Sequence, residues 1–303
     1  VDAVEAPGQF LLTGSAVPAD DAERHTGAGR FAFLRLRPMS LVESGAGQGG
    51  VSLAALLEGQ PPSCADPGLG VADLAELVCR GGWPAQLERP LAAAARAARD
   101  YLEQVRQVDV QRLDGRRRDP QRLGALLRSL GRNVADHLQA LERLMVLENQ
   151  PAWRPHQRSK AALRQAPRRH FCDPSLAVAA LGGSPDRLLK DLEWLGLLFE
   201  SLVIRDLRVL AQALDGEVFH YRDDYGIEVD AIVQLRDGRW GAIEIKLGPG
   251  QVEAAAAGLL RFRQQIDTRR TGEPAFLAVI CGSGYGYRRA DGIAVVPVGA
   301  LGP

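Results

Sequence analysis

Residues 228–246 constrain this chain more than any other stretch. Along 228–235, Val229, Ala231, Val233 and Leu235 form one face, and Glu228, Asp230, Ile232 and Gln234 the other. Along 240–247, Gly241, Ile243, Ile245 and Leu247 alternate with Trp240, Ala242, Glu244 and Lys246. A period of two is that of a strand. Between the strands lies Arg236-Asp237-Gly238. A two-residue Asp237-Gly238 loop would pair Ala231 with Glu244 and Val229 with Lys246, setting charges on the core face. A three-residue loop with Gly238 in the left-handed conformation pairs Ala231 with Ile243, Val229 with Ile245, Asp230 with Glu244 and Glu228 with Lys246. Only that register keeps both faces consistent, and a slip of one residue would destroy both.

Two acids opposite one another on a sheet repel. Asp230 and Glu244 therefore need a cation, either Lys246 or a divalent metal, and their hard oxygens suit Mg²⁺ or Mn²⁺. Such an ion could polarise a phosphodiester and activate water, with Lys246 positioning the nucleophile or steadying developing charge. Taken alone, the hairpin fits an exposed ion-paired hairpin at least as readily.

Elsewhere the pattern predicts strands at 9–14 (QFLLTG) and 31–36 (FAFLRL), with a Gly-rich loop at 24–30 between them. It predicts helices at 53–58, 71–79 and 91–105, a loop over 59–70 and a break at Gly81-Gly82-Trp83-Pro84. Helices at 121–130 and 138–147 follow, then a loop over 149–158. Ser184-Pro185-Asp186 opens one long helix to 214, broken near Gly196. Strands at 218–221, 227–235 and 239–247, a helix at 251–266, and strands at 275–281 and 293–298 complete an α/β domain with a mixed sheet. Ser175 is expected as a helix cap, Trp153 and Trp194 as packing residues, His220 as structural and 282–286 (GSGYG) as a turn.

The chain carries no net charge, but residues 109–170 hold fourteen basic and six acidic side chains, a net of +8. That excess, with Arg116-Arg117-Arg118 in it, is compatible with non-specific phosphate binding and equally with a solvated surface. Lysine occurs only at positions 160, 190 and 246, so Lys246 stands out. The four cysteines are too scattered for a disulfide framework or a zinc site. No apolar run approaches the ~20 residues that span a bilayer. The expected location is cytoplasmic, with no membrane partner.

Beyond the hairpin, LGLLFESLVIRDL, HYRDDYGIEVDAIV and GRWGAIEIKLG closely resemble predicted AAA-superfamily ATPases of bacteria and archaea. Those proteins end in a domain of unknown function of the DUF4143 type. GQFLLTGSA, GAGRFAFLRLRPMSL, RGGWPAQL, LLRSLGRNVA and RHFCDPSLA extend the resemblance over nearly the whole chain. Asp-x13-Glu-x-Lys on a hairpin followed by a helix is similar to the PD-(D/E)XK nucleases. The resemblance implies an α/β multidomain chain. Residues 1–108 would be the C-terminal remnant of an AAA-type ATPase domain with its helical lid. Residues 109–172 would be a basic, shortened winged-helix-like module, and 173–303 a restriction-endonuclease-like domain.

It further implies Glu200, Asp230 and Glu244 as metal ligands, Asp230, Glu244 and Lys246 as the catalytic set, and Glu228 as a weaker addition. Thr13 or Ser15 would be a remnant nucleotide sensor, and Arg30 a phosphate sensor or finger. The chain contains no G-x-x-x-x-G-K-[ST] loop. It is therefore expected to be a fragment that does not hydrolyse ATP by itself, whereas the intact parent binds ATP and forms a homo-oligomer through its ATPase domain. Two functions stay open: a divalent-metal nuclease acting on nucleic acid, or a non-catalytic nucleic-acid- or protein-binding module regulating the ATPase.

Overall fold

The structure, a computed structural model, describes residues 11, 13, 14, 32–109, 135–155 and 166–303. Strand β1 (Val51–Ser52) and helices α1 (Leu53–Leu57), α2 (Val71–Arg80), α3 (Leu91–Gln104) and α4 (Ala135–Arg143) come first. Strands β2 (Leu147–Gln150) and β3 (Arg168–Phe171) form an antiparallel pair. Helices α5 (Pro174–Leu181), α6 (Pro185–Lys190) and α7 (Leu192–Ala213) follow. Then come β4 (Gly216–Arg222), β5 (Glu228–Leu235), β6 (Trp240–Lys246), helices α8 (Val252–Gln265) and α9 (Thr268–Thr271), and β7 (Phe276–Cys281), β8 (Tyr287–Arg288), β9 (Ala294–Pro297) and β10 (Leu301–Gly302).

Six strands form a mixed sheet in the order β4-β5-β6-β7-β9-β8. The β4–β5–β6 meander is antiparallel, while β6, β7 and β9 run parallel. Strand β7 is buried at every residue, as an unbroken apolar run in a parallel sheet requires. One face packs on α7, α1 and α2 through Ala231, Val233, Ile243, Leu195, Phe199, Leu202 and Leu74. The other packs on α8 and Trp153 through Ile232, Trp240, Leu259 and Phe262. Each fully buried side chain of this size contributes roughly 1.5–3 kcal/mol. A third cluster joins α3, α4, β2 and α5.

The expected hairpin register is present: Ala231 faces Ile243 and Val233 faces Gly241. The turn has three residues, with Gly238 at φ 94° and the Leu235 N–H donating to Arg239 O at 2.9 Å. Several expectations need correction. Residues 32–36 form no strand, since they enter no ladder among the described residues, and Phe33, Leu34 and Leu36 are exposed. Of the strand expected at 9–14, Leu11, Thr13 and Gly14 lie in no element. The helix expected to reach 147 ends at Arg143, since Leu147–Gln150 pair with a strand, Arg168–Phe171, that the pattern did not reveal. The helix before the sheet breaks at Asp191 rather than Gly196, because the Asp191 side chain caps α7 by accepting the Trp194 N–H at 3.0 Å. The cap of α5 is Asp173, to which Ser175 donates, so Ser175 is not the cap.

Candidate functional site

The sheet opens where β5 approaches β6 at its C-terminal end, and the irregularity centres on Asp230. The β4–β5 register shifts between Phe219↔Ile232 and Tyr221↔Val229, so β5 carries one extra residue there. A bulge of this kind bends the strand and re-aims a side chain. As a result Val229 packs with Ile232 on the α8 side, not with Ala231 and Val233 as strict alternation required. The paired ladder to β6 stops at Ala231↔Ile243. Past that point the Ile245 N–H donates to Asp230 Oδ2 at 2.9 Å. The Asp230 carbonyl accepts from Gln150 Nε2 at 2.9 Å. The carboxylate has thus taken over a strand-edge donor, and β2 has taken over the strand's acceptor.

Around this point the expected residues meet. Lys246 Nζ lies 3.2 Å from Asp230 Oδ2 and 2.7 Å from Glu244 Oε2. Glu244 comes within hydrogen-bonding reach of Asp230. Arg168 of β3, which sequence reasoning missed, reaches Glu200 Oε1 at 3.3 Å, Asp230 Oδ1 at 3.4 Å and Glu228 Oε2 at 2.9 Å. Glu228, the most exposed of the acids, also pairs with Arg222 at 3.0 Å. The signal for Arg168 was weak: Arg168-Arg169-His170-Phe171 is a four-residue run with a single apolar side chain, too short to tell a strand from a charged loop.

Electrostatics follow from crowding and burial. Burial, then repulsion from Asp230, pushes Glu200 up to about 7, and the same two causes push Glu244 up to about 7. Burial alone would lower Lys246, but Asp230 and Glu244 outweigh it and raise the ammonium above its ordinary value. In their chemistry the three carboxylates fit a hard divalent cation. Their present geometry fits only in part, because Arg168 bridges Glu200 to Asp230. Among the described residues no group of three or more His, Cys, Asp or Glu side chains is arranged to hold a metal ion.

Behind the acids, His170 Nδ1 meets Ser201 Oγ and Nε2 meets Gln150 Oε1, each at 3.1 Å. Burial and then the Arg208 and Arg168 charges hold its pKa down to about 3. The sign is clear: between about 3 and 6.5 the unfolded chain binds a proton that the folded chain refuses, so this group's contribution falls as pH drops through that window. His170→Gln removes that slope. We expect the stability difference between wild type and variant to shift by about 3 kcal/mol, in the variant's favour, between pH 7 and pH 4. Urea melts across that range measure it, and a constant difference would refute the assignment.

Of the other expected residues, Thr13 is exposed and belongs to no element. Ser15, Arg30, Arg116, Arg117 and Arg118 lie outside the described residues. Cys79, Cys172 and Cys281 are buried free thiols, and Cys64 is a half-buried one. Among the described residues no helix is long and apolar enough to cross a membrane.

No curated protein and no solved structure matches the chain significantly. Two overlapping stretches, 71–139 and 131–187, match a family model described as a domain of unknown function, DUF8612. Arg168 and Gln150 lie within that match, and the four acids and Lys246 lie within another. That second match, over residues 195–301, is to a domain of unknown function, DUF4143, the C-terminal domain that the resemblance names.

Proposed function

We propose that the sheet domain is a divalent-metal-dependent phosphodiesterase module acting on nucleic acid, in a cytoplasmic protein whose remaining parts belong to an AAA-superfamily ATPase. The observation that carries this reading is the convergence of Asp230, Glu244 and Lys246 at a point where the sheet is distorted around Asp230. Regular ion-paired hairpins need no bulge and bury no carboxylates; here the Asp230 and Glu244 side chains are 13% and 11% exposed. Clustered acids with raised pKa are costly to the fold and mark sites kept for chemistry.

Asp230 and Glu244 would hold Mg²⁺ or Mn²⁺, with Glu200 joining once Arg168 moves aside. The ion, when bound, supplies Lewis-acid polarisation of a phosphodiester. Lys246, already fixed by both acids, orients the attacking water and faces the charge that develops on the phosphate. Arg168, released from the acids, would take two oxygens of a substrate phosphate in a bidentate contact. Incubation of the chain with Mg²⁺ or Mn²⁺ and single- and double-stranded DNA and RNA tests the reading. Lys246→Ala should lower cleavage by about 10²–10³-fold, the usual loss when one preorganised charge-stabilising donor is removed. Absence of cleavage by wild type on every substrate, or equal cleavage by the variant, rejects it.

A second reading has its own observation. Arg168 and Lys246 already satisfy the acids, as expected of a non-catalytic module that regulates the ATPase. That reading predicts nucleic-acid or protein binding that survives Asp230→Ala and does not depend on metal.

A further inference from the structure

Away from the acids, three arginines converge on one carboxylate. Arg37 donates to Glu148 through Nε at 3.2 Å and Nη2 at 2.7 Å, a two-pronged contact, and also to the Gln212 side chain. Arg35 Nη1 lies 3.4 Å from Glu148 Oε1, and Arg208 Nη1 lies 3.7 Å from Oε2. Three guanidiniums against one carboxylate leave two positive charges in a largely buried cluster. Burial, then the Arg37 and Arg35 charges, hold Arg208 down to about 10 despite Glu148. Arg35 Nη2 is buried with no hydrogen-bond partner among the described residues. A buried guanidinium nitrogen without an acceptor is costly to the fold.

The cluster opens onto a cleft of about 360 Å³ that Arg35, Arg37, Glu148 and Arg208 all line. At its rim Arg236 pairs with Asp215 at 2.8 Å, and Glu217 completes the charged lining. The cleft thus has a net-positive floor and a balanced, slightly acidic rim, so the attraction is aimed inward. Arg208 lies eight residues beyond Glu200 on α7, about 12 Å along the helix, so the cleft is separate from the acidic cluster.

We propose that this cleft is an anion site that binds a phosphate group on Arg35 and Arg208, with Arg37 holding Glu148 in place behind it. The phosphate's charge offsets the excess that Glu148 leaves, and a turn of the Arg35 guanidinium toward the cleft gives Nη2, closed off in the free chain, the acceptor it lacks. Guanidinium forks match phosphate oxygens in geometry as well as charge. The inference does not depend on cleavage at the acidic cluster.

The test uses the full chain in EDTA, so that no metal contributes. Inorganic pyrophosphate, followed by calorimetry, probes free phosphates. A labelled twelve-nucleotide single-stranded DNA, followed by fluorescence anisotropy at low salt, probes nucleic-acid phosphates. Arg35→Ala leaves Glu148 paired with Arg37 and Arg208, so the fold is kept. It should weaken binding tenfold or more, and the exposed rim variant Arg236→Ala should weaken it less. Binding in the first arm assigns a free phosphate, and binding in the second a nucleic-acid phosphate. Absence of binding in both arms, or binding unchanged in Arg35→Ala, overturns the proposal. The second result would move the phosphate contacts elsewhere, for instance to the Arg116–Arg118 run.

Discussion

Arg205→Ala is expected to cost about 3–5 kcal/mol and to lower the melting temperature more than any substitution in the acidic cluster, because Arg205 is the centre of a fully buried charged node. Its Nη1 meets Asp173 Oδ2 at 2.9 Å, while Nε and Nη2 meet Asp206 Oδ1 at 2.9 and 2.8 Å. The two carboxylates take further donors. The Gly82 N–H donates to Asp173 Oδ2, Ser175 donates to Oδ1 through both its N–H and Oγ, and the Leu41 N–H donates to Asp206 Oδ2. Burial alone would lower the Arg205 pKa, but Asp206 and Asp173 outweigh it and keep the guanidinium charged. Removing one partner of such a group leaves buried carboxylates uncompensated, which is where the large loss arises. The double variant Arg205→Met with Asp206→Asn removes charge from both sides and should recover a substantial part of the loss. Urea unfolding at pH 7 measures both. Equal stability of Arg205→Ala and wild type would show that the node is not what joins these segments.

That node explains why some of the chain was legible and some was not. RPMSL, RGGWPAQL, RHFCDPSLA and LVIRDL are far apart in sequence, and each has its own local pattern. Gly81-Gly82 reads correctly as a break, yet its reason is tertiary. A Cβ at Gly82 would lie 2.1 Å from Met39 O, and the Gly82 N–H is needed by Asp173. No periodicity announces a contact between residues 82, 173 and 205, so the sequence displayed the four segments but not their meeting.

The hairpin was legible for the opposite reason. Its register rests on local alternation and on a turn that requires Gly238, and those suffice for Ala231↔Ile243 and its neighbours. Alternation failed at Asp230 itself. The bulge is fixed by β4 and by Gln150 of β2, partners that the hairpin sequence does not contain. Arg168 was missed likewise, since a four-residue strand flanked by a basic segment gives too short a pattern to separate from a charged loop. The candidate site is therefore readable in its acids and its lysine. Its distortion and its second cation come from elements brought in from elsewhere in the chain.

Arg168 also supplies the sharpest test of what the acids are for. Its guanidinium contacts Glu200, Glu228 and Asp230 at 2.9–3.4 Å, where a divalent ion would have to sit to recruit Glu200. At an effective dielectric near 20, a unit charge about 4 Å away is worth about 4 kcal/mol. Partial exposure, 26% for Arg168, and salt reduce this to roughly 1.5–3 kcal/mol. Arg168→Ala should therefore bind Mn²⁺ about ten- to a hundredfold more tightly than wild type, by calorimetry at pH 7.5, while being less stable than wild type without metal. The two effects would share one cause: on the proposed reading, the cation that quiets the acids in the free chain would also keep a metal from collecting them. Adding Asp230→Asn to Arg168→Ala should abolish the gain, since it removes the carboxylate common to both partners. If Arg168→Ala binds Mn²⁺ no better than wild type, the cluster is a structural ion-pair network and the regulatory reading prevails. If affinity rises but cleavage of nucleic acid falls, Arg168 both competes with the metal for the acids and holds a substrate phosphate, as expected for a guanidinium that trades carboxylate oxygens for phosphate oxygens when metal and substrate arrive together.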